Sequence, residues 1–242
     1  MPKIINVKAR QVFDSRGNPT VEAEVFLENN VSASAISPSG ASTGAFEAYE
    51  LRDNNETSFL GKSVNNAVEN INKKIKPALL GLDPNDQSQI DKILLNLDGS
   101  KNKKNLGANA TLAVSLANSK SAAKSSNISL FKNLGKSFSL PIPLMNIING
   151  GAHADNDLNI QEFMIRPDSA KNFMDAIEKC YLVIQNLKKI LKSKKMLTNV
   201  GDEGGFAPSI NTNEEALELI VDAIEKSKFI PGKDLVICLD VA

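Results

Sequence analysis

The sequence contains little cysteine, no excess of either charge and no long apolar run. Its two cysteines, Cys180 and Cys238, each lie in an apolar segment, which favours buried thiols over a disulfide. Free thiols in turn indicate a reducing, cytoplasmic compartment. Lys plus Arg and Asp plus Glu both number 28, so no basic surplus indicates nucleic acid or an anionic membrane as a partner. No apolar run approaches the ~20 residues that span a bilayer, and the N-terminal segment lacks the apolar core of a signal peptide.

The composition is that of a folded protein with one large domain or two ordinary ones. Apolar residues make up 42% of the 242 residues and charged residues 23%, which excludes a disordered chain. The pattern of apolar positions changes after the segment 131–144, which contains Pro141 and Pro143. We therefore expect a linker there, a first domain at 1–133 and a second domain at 141–242.

The first domain is predicted to combine a three-stranded antiparallel meander with helices, an α+β arrangement. Apolar residues alternate with polar ones in runs separated by turn residues, which indicates strands with one apolar face. The alternating positions are Ile5, Val7 and Ala9, then Val21, Ala23, Val25 and Leu27, then Val31, Ala33 and Ala35. Helical stripes that could cover this face are Val64, Ala67, Val68, Ile71 and Ile75, ending at Pro77; Ile90, Ile93, Leu94 and Leu97, closing at Asp98–Gly99; and the alanine-rich segment 108–124.

The second domain has the pattern of an α/β unit that has only begun. Two short strands are predicted at 144–149 and 160–167, and the apolar run 234–242 is typical of a strand buried on both faces. Between them the pattern predicts a helix at 170–192, with Phe173, Ile177, Cys180, Tyr181, Ile184, Leu187 and Leu191 on one face, and a second helix after the capping box Thr212–Glu215. A doubly buried strand needs neighbours on both edges, so we expect the chain to be a fragment or a truncated relative of a longer protein.

Two glycine-rich segments carry groups that could act on a substrate. NVGDEGGFAPS (199–209) places Asp202 and Glu203 between glycines. A surface loop could carry two acids by accident, whereas a catalytic loop could use the glycines to bring backbone and carboxylate close to a charged substrate. His153, the one histidine, follows a Gly-Gly pair in NGGAHADN (149–156), directly after a predicted strand. It is either structural or part of a binding loop.

Two further acids and one hydroxyl loop are candidates for metal binding. Glu162 lies in an apolar strand, where an acid is costly to bury unless it is paired or bound to a metal. Asp240 ends the last apolar run and offers the oxygen donors that Mg²⁺ prefers. In SPSGASTGAFEAYELRD (37–53), glycines bracket small hydroxyls that include Ser42. This segment is either a flexible polar loop or a mobile lid that gives an oxygen ligand to a hard cation.

Five motifs occur together in one order: DSRGNPTVE, PSGASTG with FEA and ELRD, NGGAHADN with QEFMI, GDEGGFAPS, and CLDVA. In this order and at this spacing they resemble the enolase family (phosphopyruvate hydratases), over essentially the whole chain. Composition and periodicity by themselves indicate only an α+β domain followed by an incomplete α/β unit. The resemblance implies that this unit is the start of a TIM-like barrel of ββαα(βα)₆ order, truncated.

The resemblance also implies an activity. Enolases are lyases that reversibly dehydrate 2-phosphoglycerate to phosphoenolpyruvate in glycolysis and gluconeogenesis. Two Mg²⁺ ions neutralise the substrate carboxylate and stabilise the enediolate that forms when the C2 proton leaves. A homodimer is implied for the complete protein, with Glu22 and the DSRGNP loop (14–19) resembling parts of the dimer contact.

The catalytic roles implied by the resemblance fall on two glutamates. Glu203 resembles the carboxylic acid that helps the C3 hydroxyl depart, with Asp202 in support. Glu162 resembles the second active-site glutamate, which lies near that hydroxyl and the leaving water, so that it also binds substrate.

The binding roles implied by the resemblance fall on three further residues. His153 resembles the histidine of the loop that closes over the substrate. Ser42 resembles the lid serine that contacts the substrate site and ligates the second Mg²⁺. Asp240 resembles the first ligand of the high-affinity Mg²⁺.

Several family positions match nothing in this sequence. They are the lysine base, two further metal carboxylates, a phosphate-binding arginine and serine, and a second substrate-binding lysine. We therefore expect residues 1–242 alone to be inactive. Two other hypotheses remain open. The chain could be a non-catalytic relative that acts as a binding or dimerisation partner of a full enolase, or another barrel enzyme of the wider superfamily acting on acid sugars, against which SGASTG and GDEGG argue.

Overall fold

A computed structural model describes residues 2–40, 44–201 and 203–241. The chain divides into two compact units, Met1–Phe138 and Ser139–Ala242. Each unit contains a three-stranded sheet, and apolar residues of the sheet and of the helices together form one buried core in each unit. Within the described ranges, no helix combines the length and the apolar character needed to cross a membrane.

The sheet of the first unit is the predicted antiparallel meander. Its strands β1 (Ile4–Phe13), β2 (Pro19–Leu27) and β3 (Ser32–Ser37) lie side by side in chain order, with β2 in the centre. The inward residues of β2 are all fully buried: Val21, Ala23, Val25 and Leu27. The alternation predicted for this strand is therefore confirmed.

The face predicted for the start of β1 is wrong. Alternation places Ile5 in the core with Val7, but Ile5 is 53% exposed and Ile4 is buried in its place. The pairing of β1 with β2 shifts register between Ile4 and Asn6. An irregularity of this kind adds a residue to one strand and reverses the alternation of its side chains.

The first helical stripe does not end at Pro77 as predicted. Instead α1 (Asn65–Asn70), a π-helical segment (Ile71–Ile75) and α2 (Lys76–Leu79) form one continuous run that includes this proline. A π-helical turn already departs from the regular hydrogen bonds between residues four apart, so the missing N–H of proline disturbs the helix less there.

The other helices of the first unit agree with the sequence pattern. Helix α3 (Gln87–Asp98) ends at Gly99, whose φ of 66° is the left-handed conformation that glycine adopts most easily. Helix α4 (Ala108–Ser125) packs on β2 and β3. The predicted linker is in part wrong, because its first residues form a short helix, α5 (Leu130–Leu134).

The second unit combines three strands with two long helices. Strands β4 (Met145–Asn149), β5 (Glu162–Arg166) and β6 (Val236–Asp240) form a sheet with β5 in the centre, antiparallel to both neighbours. Between β5 and β6 the chain forms α6 (Phe173–Ser193) and α7 (Asn213–Lys226), which pack on each other. The predicted order of strand, strand, helix, helix and strand is confirmed. Across the described residues, the three strands form an open sheet rather than a closed barrel.

The buried face of α6 is rotated relative to the predicted stripe. Cys180 is fully buried as expected, but Phe173 and Tyr181 are 38% and 59% exposed, and Val183 is buried instead. A residue next in sequence on a helix points about 100° away, so a face centred on Cys180 leaves Tyr181 at its margin.

The predictions for the last strand and for the two cysteines are confirmed only in part. Strand β6 is half-buried rather than buried on both faces, and Leu239 is 43% exposed. Among the described strands it pairs with β5 alone. Both cysteines are free thiols. Burial raises the pKa of the Cys180 thiol to about 11, which makes it an inert core residue, whereas Cys238 is half-buried.

The N-terminus of α7 provides a test of the second unit. The Thr212 side chain accepts a hydrogen bond from the Glu215 N–H at 3.1 Å. We expect Thr212→Ala to lower the free energy of unfolding by about 1 kcal/mol, because this N–H loses its partner at the helix start. Urea unfolding followed by circular dichroism measures the change. Ser209→Ala, at an exposed position of the preceding loop, is the control and should change stability little. Equal stabilities of the two variants would contradict the prediction.

Candidate active site

The register of the second sheet brings three polar residues into one row. Asn149 at the end of β4 lies opposite Glu162 on β5, and Glu162 lies opposite Asp240 on β6. Residues directly opposite in antiparallel strands face the same side of the sheet, with their Cβ atoms about 5 Å apart. The row therefore places two carboxyl groups and one carboxamide on the same side of the second sheet.

His153 lies against the central member of this row. It ends a single 3₁₀ turn, Gly151–His153, that directly follows β4, and its N–H donates to the Gly150 carbonyl at 3.0 Å. The side chain is 4% exposed, and its Nδ1 is 3.5 Å from Glu162 Oε1. No described group forms a hydrogen bond with this Nδ1. The geometry is that of an electrostatic contact between imidazole and carboxyl group.

The loop that carries Glu203 is bound to the end of β4. The Phe206 N–H donates to the Ile147 carbonyl and the Asn149 N–H donates to the Phe206 carbonyl, each at 2.9 Å. The Gly201 N–H closes the loop on the Gly205 carbonyl at 2.8 Å. Glu203 lies at the exposed tip of this closed loop.

Glycine is required at two positions of this loop for different structural reasons. Gly204 has a φ of +83° with open space where a Cβ would be, so its backbone conformation favours glycine. At Gly205 the reason is close approach, since a Cβ there would overlap Asn149 Oδ1 and come within 2.9 Å of the Ile147 carbonyl carbon. The glycine-rich sequence thus allows an acidic loop to lie directly on a strand.

Negative charge concentrates around Glu162. Burial raises its pKa above the ordinary value for glutamate, and the neighbouring carboxylates of Asp240 and Glu203 raise it further, while His153 acts in the opposite direction. A carboxyl group whose pKa is raised in a site with other charges is a candidate to hold or transfer a proton. The predicted residues Glu162, Asp240, His153 and Glu203 are thus brought together.

The donor set suits a hard divalent cation. Asp240 and Glu162 offer carboxylate oxygens. Burial raises the pKa of Glu162 most, and the Asp240 carboxylate raises it further, so a cation here would relieve the repulsion between the two acids. In residues 2–40, 44–201 and 203–241, no three His, Cys, Asp or Glu side chains converge closely enough to form a metal site by themselves. Ser42 and Asp202, the other predicted site residues, lie outside the described residues.

The stem of the Ser42 segment is held by side chains of the first unit. The Arg16 Nη2 donates to the carbonyls of Ser39 and Gly40 at 3.0 and 2.9 Å, and Arg52 Nη2 donates to Ser39 Oγ at 2.9 Å. On the other side of the segment, the Gly44 N–H donates to Glu47 Oε1 at 2.8 Å. The stem before the segment is therefore anchored to the first unit, whereas the contact after the segment is local.

The residues predicted for a dimer contact are ordered within the chain. Glu22 forms an ion pair with Arg10 on the paired strand. Asp14 Oδ1 accepts hydrogen bonds from the N–H groups of Arg16 and Asn18 at 2.9 and 2.8 Å, which shapes the DSRGNP turn. These contacts explain the local fold of the segment and leave its role between subunits a prediction.

Comparison with known proteins identifies the family. Residues 4–134 match the family model for the enolase N-terminal domain, and residues 137–242 match the model for the enolase C-terminal TIM barrel domain. The chain belongs to the enolase family. It is 60% identical to the enolase of Pelagibacter ubique (strain HTCC1062) and 53% identical to that of Corynebacterium kroppenstedtii, in both cases over its whole length. It spans 58% and 57% of these two enolases, respectively.

Asn149 is the site residue that sequence reasoning missed. It stands in the quoted motif NGGAHADN, but the motif alone does not distinguish it from a strand-terminating residue. The strand register, which pairs it with Glu162, reveals its place. No sequence signal singles it out, because its complete burial is seen only in the structure.

The charge relation between Glu162 and Asp240 provides a test of this geometry. We expect Asp240→Asn to lower the pKa of Glu162, because removal of a nearby negative charge makes ionisation of the remaining carboxyl group easier. Carbon-13 NMR titration of the glutamate carboxyl groups, without added divalent cation, measures the shift. Asp222→Asn, on an exposed position of α7, removes the same charge elsewhere and should leave the Glu162 pKa unchanged. An unchanged Glu162 titration in Asp240→Asn would contradict the geometry.

Proposed function

We propose that the complete protein containing this chain is a phosphopyruvate hydratase, which reversibly dehydrates 2-phosphoglycerate to phosphoenolpyruvate. The reaction belongs to glycolysis and gluconeogenesis and takes place in the cytoplasm. The proposal rests on family membership and on one observation above all. Glu162, with a raised pKa, lies opposite Asp240, near Glu203 and in contact with His153. An acidic site of this kind supports proton transfer beside an anionic substrate.

Each described site residue has a role in this proposal. Glu203, at the exposed tip of the glycine-rich loop, gives a proton to the departing C3 hydroxyl. Glu162 keeps a proton more readily than an ordinary glutamate and lies beside the same hydroxyl and the leaving water. His153, which follows β4, contacts the substrate. Its Nδ1 lies 3.5 Å from Glu162 Oε1. Proton removal from C2 is assigned to the lysine base of the family, which matches no residue of 1–242.

Mg²⁺ is the cofactor that the donor set supports best. We assign Asp240 to the high-affinity ion and Ser42, outside the described residues, to the second ion. Bound there, the two ions would neutralise the substrate carboxylate and the developing enediolate. The carboxylates that surround Glu162 favour such cations because like charges in one site are otherwise mutually destabilising.

The complete protein is further proposed to form a homodimer. The observation that supports a role for the DSRGNP turn is its internal order. Asp14 closes the turn, and the pKa of this carboxyl lies below its ordinary value because the N–H bonds from Asn18 and Arg16 outweigh the effect of burial. A turn with a fixed shape is suited to form a reproducible contact.

The proposed proton donor leads to a kinetic prediction. In the complete protein, we expect Glu203→Gln to lower kcat for dehydration of 2-phosphoglycerate by about 10²–10⁴-fold, because a general acid or base contributes that much. Glu218→Gln, at an exposed position of α7, is the matched control and should retain the wild-type rate. The appearance of phosphoenolpyruvate absorbance measures both rates. A Glu203→Gln enzyme as active as the control would remove Glu203 from the mechanism.

The unmatched family positions lead to a second kinetic prediction. A polypeptide of residues 1–242 alone should give no appreciable Mg²⁺-dependent turnover of 2-phosphoglycerate, because it lacks the lysine base and two of the metal carboxylates. The same assay applied to the complete protein is the positive control. Robust turnover by residues 1–242 would refute the view that proton removal and metal binding need the family's lysine base and its further carboxylates.

A further inference from the structure

Asn149 is a fully buried polar residue that local structure does not explain. Its Oδ1 accepts a hydrogen bond from Asn146 Nδ2 at 2.7 Å. Its Nδ2 has no hydrogen-bond partner among the described residues. A buried amide donor that lacks a partner costs free energy compared with an apolar residue of the same size. The residue is therefore better suited to a function than to the core of the sheet.

The surroundings of the Asn149 side chain are the two ends of the Glu203 loop. A Cβ at Gly201 would lie 2.8 Å from Asn149 Nδ2, and a Cβ at Gly205 would overlap Asn149 Oδ1. The carboxamide thus lies close to the backbone both two residues before and two residues after Glu203. A shorter side chain would leave space beneath both ends of the loop, and a longer one would push the loop away.

The backbone of Asn149 holds the same loop. Its N–H donates to the Phe206 carbonyl at 2.9 Å, and its carbonyl accepts from Asn156 Nδ2 at 3.0 Å. Its strand register places it directly opposite Glu162. Asn149 therefore contacts the loop that carries Glu203 and also lies opposite Glu162 in the sheet.

We infer that Asn149 is a positioning residue that sets the place of Glu203 relative to Glu162. The carboxamide fills the space under Gly201 and Gly205 and fixes the height of the loop above the sheet. The inference deepens the proposed function and rests on it for its kinetic consequence, though not for its structural one. A displacement of about 1 Å in a catalytic group can cost about 10²-fold in rate.

The structural consequence can be tested without any assay of activity. Hydrogen exchange followed by mass spectrometry on the complete protein compares wild type with Asn149→Ala and the milder Asn149→Ser. We expect faster exchange at the Gly201 and Phe206 amides, whose hydrogen bonds close the loop and join it to β4. Asn186→Ala is the matched control, because Asn186 donates to Ser227 Oγ between α6 and α7. Unchanged exchange at residues 201–206 in both Asn149 variants would overturn the inference.

The kinetic consequence is tested by a double-mutant cycle with Glu203. We expect Asn149→Ala or Asn149→Ser to lower kcat by up to about 10²-fold with a smaller change in KM. In the Glu203→Gln background, the same substitution should have no further effect on kcat, because its action passes through Glu203. If the role of Asn149 were merely structural, its substitution would lower kcat by the same factor in the wild-type and Glu203→Gln backgrounds. That result would overturn the inference.

The two tests separate this inference from the proposed function. A complete wild-type protein that does not dehydrate 2-phosphoglycerate would refute the proposed function, and hydrogen exchange alone would then decide the role of Asn149. An active wild-type protein with an additive cycle would keep the function and refute the positioning role.

Discussion

The pairing of β5 with both of its neighbours is the constraint on which the candidate site depends. Glu162 acquires its neighbours from this register, since Asn149 and Asp240 lie opposite it on the two sides. A shift of one residue in either pairing would turn the partner side chain to the other face of the sheet. The apolar residues Phe163 and Ile165, fully buried on the opposite face against the helices, fix the register. The core thus determines the positions of the acids.

The same sheet explains why the acidic loop is rich in glycine. The loop is joined to β4 by backbone hydrogen bonds at Phe206, and its two ends rest on Asn149. Side chains at Gly201 or Gly205 would prevent this approach. Close contact brings the charge of Glu203 near enough to affect Glu162, so that packing and electrostatics of the site have one origin. A cation bound among these carboxylates would relieve the repulsion that the approach creates.

Much of the fold could be predicted from the sequence because local pattern and core face coincide. The alternation in β2 and the capping box at Thr212 are examples, since each depends on neighbours in the chain. The errors have tertiary causes. Ile5 is exposed because of an irregularity in strand pairing, and Tyr181 is exposed because α6 presents the face of Val183 to the core of the second unit. Neither pairing nor helix rotation is encoded within a single window of sequence.

The sequence by itself determined the family, the kinds of elements and the chemical groups available, because motif order and periodicity are properties of the chain. It therefore named Glu162, Glu203 and Asp240 as separate candidates. Only the tertiary structure decided that Glu162 and Asp240 lie opposite each other, that burial and like charge raise the pKa of Glu162, and that Asn149 belongs with them. The physical reason is that distance, burial and charge interaction arise between segments remote in sequence, and strand register fixes all three at once.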